Sequence, residues 1–150
     1  MSYVKAYVKS CDSDFKTWIY GKLEILIDRT DLTERYYVVT NTDSYLVDKG
    51  DICKLTPIKS SDVTNNEVFH NDIIQIDFQD AKPEMFVVRY GDGDIFLDDD
   101  KIKLYGLMLT DFNKNNYLFS EKIINHPECI TVVGNILENN MNDFLLKGEN

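Results

Sequence analysis

A chain of 150 residues with 43% hydrophobic content is long enough to bury a real core in one domain spanning 1–150. Its formal net charge of −10 repels phosphate backbones, which bind chiefly through Lys and Arg, so direct nucleic-acid binding is disfavoured; the same charge could face a basic partner, but the ordinary reading is a soluble acidic protein. Cys11, Cys53 and Cys129 are odd in number and never form a Cys-x-x-Cys pair, which argues against a disulfide framework or a zinc site and fits a reducing cytoplasm.

Nine Tyr, eight Phe and one Trp favour sheet over helical bundle, because aromatic side chains pack well on pleated surfaces. The N-terminus alternates apolar and polar residues from Tyr3 to Lys9 and lacks the long apolar run of a signal peptide; no later stretch has the length of a membrane span. A soluble, cytoplasmic protein is the expectation. The same alternation marks half-buried strands over Lys22 to Ile27, Tyr36 to Thr40, Ile73 to Phe78, Met85 to Tyr90 and Lys101 to Leu109.

Between Lys59 and Asn66 the chain is polar and aperiodic, and reads as a surface loop. It leads into Glu67-Val68-Phe69-His70-Asn71-Asp72-Ile73-Ile74, where Asn71 suits the positive φ of a tight turn and Asp72 can accept from nearby N–H groups. Gly91-Asp92-Gly93-Asp94 has the composition of a hairpin turn, so Met85 to Tyr90 is expected to pair with Ile95 to Asp98. Helical signal is confined to Ser120 to Asn125, ahead of Pro127, and to the tail from Leu137 to Lys147.

Three segments together resemble the YopX family of phage and prophage proteins. Phe15-Lys16-Thr17-Trp18-Ile19-Tyr20-Gly21 is similar to that family's Trp-x-Tyr-Gly signature. Leu55-Thr56-Pro57-Ile58, the polar loop and Asn66 to Ile74 resemble its Thr-Gly-Leu and Gly-Lys-Glu-Ile-Tyr-Glu-Gly-Asp-Ile-Val segments. Thr131-Val132-Val133-Gly134-Asn135-Ile136-Leu137-Glu138-Asn139 resembles its Val-Ile-Gly-Asn-Ile-Tyr-Glu-Asn. Order and spacing agree over nearly the whole chain, although Pro57 and Asn71 replace glycines and Asn140 stands where proline is usual. The resemblance implies a mainly β fold built on an SH3-like small barrel, with additional strands and hairpins and short helical turns near the C-terminus. It implies no catalytic activity and carries over no site residues. Trp18 and Tyr20 are then expected to cover the mouth or core, and Gly21 and Gly134 to permit bends or close approach.

Asp111, Asn113 and Asn115 have the one-three-five spacing of a calcium loop, but Asn116 and Lys122 replace the glycine and glutamate that complete it, and Glu121 falls one place early. His126-Pro127-Glu128-Cys129 places a base near a thiol, yet no third orienting group accompanies them, and His70 is remote in sequence. Walker, dinucleotide and Gly-x-Ser-x-Gly motifs are absent, so no enzyme, cofactor or metal is expected. The one constellation kept as a binding site is Asp92, Asp94, Asp98, Asp99 and Asp100, five carboxylates within nine residues.

These observations predict a non-enzymatic phage or prophage accessory protein that binds a host or phage protein, with homo-oligomerisation left open. A second reading makes the aspartates a DNA mimic that inhibits a host defence nuclease. The third is a barrel that holds single-stranded nucleic acid on aromatic side chains, against which the net charge weighs.

Overall fold

The computed structural model describes residues 3–9, 15–77, 81–97, 99–119 and 126–139. Eleven strands run in chain order: β1 (Tyr3–Lys9), β2 (Lys16–Ile27), β3 (Glu34–Val39), β4 (Ser44–Val47), β5 (Ile52–Lys59), β6 (Glu67–Phe69), β7 (Asp72–Ile76), β8 (Glu84–Leu97), β9 (Asp100–Thr110), β10 (Asn116–Leu118) and β11 (Ile130–Asn135). Short 3-10 turns at Lys49–Asp51 and Pro127–Cys129 are the helical elements among the described residues. The fold is therefore mainly β. Its sheets run β4-β3-β2-β1-β5-β6 and β10-β9-β8-β7-β11, each ending in two edge strands, so the closed small barrel expected from the family resemblance is not formed. Strand order explains this: β10 and β11 terminate the second sheet on opposite sides and do not pair with each other.

The chain divides into two compact units, Met1–Leu55 and Thr56–Asn150. In the first, β1 lies between β2 and the start of β5, with Tyr7 opposite Trp18 and Lys5 opposite both Tyr20 and Cys53. Alternation sends Val4, Ala6 and Ile19 to one face, where Val4, Ala6, Val38, Val47 and Ile52 form the core. Gly21 is needed at its place: a Cβ there would stand 2.3 Å from the Val39 carbonyl oxygen, so only glycine lets β2 and β3 approach.

In the second unit β7 is buried almost throughout, and Ile58, Val68, Ile74, Ile76, Phe86, Val88, Leu109 and Ile130 make its core. Burying each such aliphatic side chain contributes about 2 kcal/mol. Ile74 is opposite Phe86 on β8 and Val132 on β11, which places it at the centre of the sheet. Between Val132 and Gly134 the register slips by one residue, a bulge that Gly134 accommodates as the sequence leads one to expect.

The expected hairpin turn at Gly91-Asp92-Gly93-Asp94 is displaced. β8 runs straight through it, and the chain reverses instead after Leu97, whose register partner is Asp100. Gly91 and Gly106 face each other across the hairpin with φ of +139° and +145°, a region that L side chains rarely enter. The glycines thus lie within the long hairpin, its register unbroken on either side of them, rather than at its end. The residue in the turn with positive φ is Asp99, at +69°. The first helical segment expected, Ser120 to Asn125, lies outside the described residues, as does the tail beyond Asn139.

Candidate functional site

Two polar centres organise the second unit. The first is Asp72, 1% exposed, which the tight turn at His70-Asn71 presents to the interior. Asn71 takes φ of +74°, the conformation its residue type favours, and its N–H donates to the Val88 carbonyl at 2.6 Å. The Phe69 N–H then donates to Asp72 Oδ2 at 2.8 Å, and Asn135 Nδ2 donates to Asp72 Oδ1 at 2.9 Å. Asn135 in turn accepts from the Leu137 N–H at 2.9 Å, and the Ile136 N–H donates to the Asn71 carbonyl at 3.0 Å. Thr56 joins the same region by donating from Oγ1 to the Val68 carbonyl at 2.7 Å. Buried polar groups hydrogen-bonded in this way fix geometry.

The second centre is Asp111. Its Oδ1 accepts the Asn113 and Asn115 N–H groups at 2.9 and 2.8 Å, and its Oδ2 accepts Asn115 Nδ2 at 3.2 Å and the Tyr117 hydroxyl at 3.0 Å. Partial burial opposes ionisation, but these donors outweigh it and hold the carboxyl below its ordinary range. The Tyr117 phenol is pushed up by donating to that carboxylate. The one-three-five spacing is therefore spent on closing the β9–β10 hairpin, with Lys114 at φ of +67°. No cluster of three or more His, Cys, Asp or Glu suited to a metal occurs among the described residues.

The acidic constellation is distributed along the β8–β9 hairpin. Asp92 is exposed and opposite Tyr105, a tyrosine 84% exposed. Asp94 is half-buried, opposite Lys103, and pairs with Lys101 Nζ at 3.4 Å. Asp99 and Asp100 are exposed at the tip, and Asp98 lies outside the described residues. Lys101 and Lys103 thus interrupt the carboxylates where a phosphate-like array would need continuity. A groove of about 460 Å³ opens beside the hairpin, lined by Arg89, Asp92, Asp111, Lys114 and Asn116 among others. Its lining carries two cations, Arg89 and Lys114, and two carboxylates, Asp92 and Asp111.

His126 Nδ1 lies 3.0 Å from Glu128 Oε1, and the ring of His70 meets Tyr90 edge-on at 6.0 Å between centroids. The Glu128 carboxyl is lowered first by its own backbone N–H and then by His126. His126 is thus directed to Glu128, and Cys53, buried, and Cys129, half-buried, are in no disulfide. Sequence reasoning passed over Tyr105. Its signal was the alternation Lys101, Lys103, Tyr105, which sets the tyrosine on the lysines' face of the strand.

Among the described residues no helix is long and apolar enough to cross a membrane. No protein-family model, curated protein or solved structure matches the chain.

Proposed function

We propose that this chain is a phage or prophage accessory protein of the bacterial cytoplasm that acts without catalysis, by binding another protein through the β8–β9 hairpin. The observation that carries the reading is the β8–β9 hairpin itself, in which Tyr105, 84% exposed, stands opposite the exposed Asp92, with Asp99 and Asp100 exposed at the tip. An exposed tyrosine beside a carboxylate, on a hairpin with an acidic tip, suits a basic protein surface: the ring supplies rigid contact area and the charges steer encounter. Counts by unit support the same direction. Eight basic and nine acidic residues leave Met1–Leu55 at −1, whereas eight and seventeen leave Thr56–Asn150 at −9.

Kinship with the YopX family, with an SH3-like descent for strands that here form open sheets, belongs to the same reading. Its support is that two of the three resembling segments meet at the Asp72 to Asn135 bond. Nuclease inhibition by DNA mimicry is the weaker alternative, because Lys101 and Lys103 interrupt the carboxylates. Affinity capture from host extract at mild salt tests the proposal. The natural chain should retain a stoichiometric protein partner that the variant Asp99→Lys, Asp100→Lys, Tyr105→Ala loses. Retention of the same partner by the folded variant, or repeated failure to recover any partner, would overturn it.

A further inference from the structure

The second unit folds its long hairpin back on itself. Asp94 is opposite Lys103 and Asn116 is opposite Thr110, so along β9 the two pairs stand seven residues apart, about 23 Å in a straight strand. Yet Asn116 Nδ2 donates to the Asp94 carbonyl at 3.1 Å. A Cβ on Gly93 would likewise stand 2.6 Å from Met108 Sδ, although the register partner of Met108 is Arg89. The end of the hairpin therefore curls over the sheet face that carries Val87, Arg89, Met108 and Thr110, the face turned away from the core of Phe86, Val88 and Leu109. The groove of about 460 Å³ lies on that face, and its size is that of a small-molecule site.

Two cations line the groove, and each is mounted on a fixed element. Arg89 rises from the middle of the β8–β9 ladder, and Lys114 stands in the β9–β10 turn, which four hydrogen bonds to Asp111 close. Both are exposed, and among the described residues neither side chain forms an ion pair or a hydrogen bond. They stay unpaired in a unit whose net charge is −9. Of the two carboxylates in the lining, Asp111 is committed, since both its oxygens accept donors of its own turn. The uncommitted charges are therefore Arg89 and Lys114 against Asp92 alone. From this arrangement we infer that the groove binds a small organic anion whose phosphate or carboxylate head engages Arg89 and Lys114, with its body against Met108 and Tyr90. The guanidinium fork offers such a head two parallel hydrogen bonds, and the ammonium adds a point charge. Asp92 disfavours a second anionic group on the ligand.

Heteronuclear NMR of the full chain tests this, following the Arg89 side-chain N–H and the backbone amides of Thr110, Lys114 and Asn116. The probes share one ring: phenyl phosphate, benzoate, neutral phenol and cationic benzylammonium. Saturable shifts at these positions are expected from phenyl phosphate or benzoate at about 1 mM, the range of one charged head on a small ring, and the tighter of the two identifies the head. Arg89→Ala and Lys114→Asn should each weaken that binding about 10-fold, the loss of one charge-assisted contact. Asparagine suits the φ of +67° at position 114, so this variant keeps the turn and carries the test should Arg89→Ala fail to fold. No saturable shift from either anion up to about 20 mM would overturn the inference. So would undiminished binding by either folded variant. Equal binding of phenol or benzylammonium would also overturn it, since the groove would then be reading the ring or a cation. None of Asp99, Asp100 and Tyr105 lines the groove, so this result and that of partner capture stand apart.

Discussion

Asp72 shows how one buried side chain can tie distant strands together. Its carboxylate accepts from the Phe69 N–H and from Asn135 Nδ2, residues brought together by strands distant in sequence. Replacing it by alanine strands two buried donors, each costing about 1–3 kcal/mol. Urea denaturation of Asp72→Ala should therefore show a loss of about 3 kcal/mol. Asn135→Ala removes part of the same network, and the double variant should cost less than the two single losses added together. Strict additivity would show that the pair does not act as a unit. Asn71 and Asp72 were legible in the sequence because their residue types have narrow uses, positive φ for one and acceptance of N–H groups for the other. Asn135 as the distant partner was not, since nothing local specifies a contact between residues so far apart.

At the scale of elements, period-two alternation located most strands but misjudged their limits. Tyr3–Lys9 matches its observed bounds, whereas β2 begins at Lys16 rather than Lys22. The first half of β2 was hidden because its aromatic residues Trp18 and Tyr20 lie on the same face as lysines, which blurs the apolar-polar contrast. β5 was overlooked as a strand because it contains Pro57, which forgoes a donor and is exposed there. The larger misjudgement concerned Gly91 and Gly93, whose composition suggests a turn wherever it occurs. Gly106 stands directly opposite Gly91, and the ladder continues through the two facing glycines at positive φ to a turn after Leu97. A Cβ at either would meet nothing within 4 Å, so the cost of substitution lies in the backbone alone. Gly91→Ala and Gly106→Ala should each lose about 1–2 kcal/mol in thermal or chemical unfolding, and an unchanged stability would contradict the positive φ at these positions.

The β9–β10 turn has its own pH signature. Asp111 is held below its ordinary range by burial-opposed but dominant hydrogen bonds from Asn115, Tyr117 and Asn113. A depressed folded-state value means that its stabilisation is fully present above the unfolded value, about 3.9, and is lost as pH falls through the lower folded value. Tyr117 has the opposite sign: its raised value gives stabilisation present below about 10 and lost as pH rises through the folded value. Amide shifts of Asn113 and Asn115, followed by NMR, should titrate with a midpoint below about 3.9, and Asp111→Asn should abolish that step. A midpoint at or above the ordinary value would contradict the hydrogen-bonded turn.

For the molecule as a whole, composition alone conceals a division of charge. The net charge of −10 is nearly all in Thr56–Asn150, the unit that carries the hairpin, while Met1–Leu55 balances its charges. Each unit has its own apolar core, one centred on Val4, Ala6 and Val38, the other on Ile74, Ile76 and Val88. Sequence reading recovered the mainly β class, since it follows from local residue types. It could not recover the open sheets or the separation of charges, which depend on which strands pair. The proposed binding of a basic protein surface by the β8–β9 hairpin can be measured by calorimetric titration with the captured partner. The natural chain should bind with one-to-one stoichiometry, and the folded variant Asp99→Lys, Asp100→Lys, Tyr105→Ala should bind at least about 30-fold more weakly. Equal affinity of the two chains would contradict it.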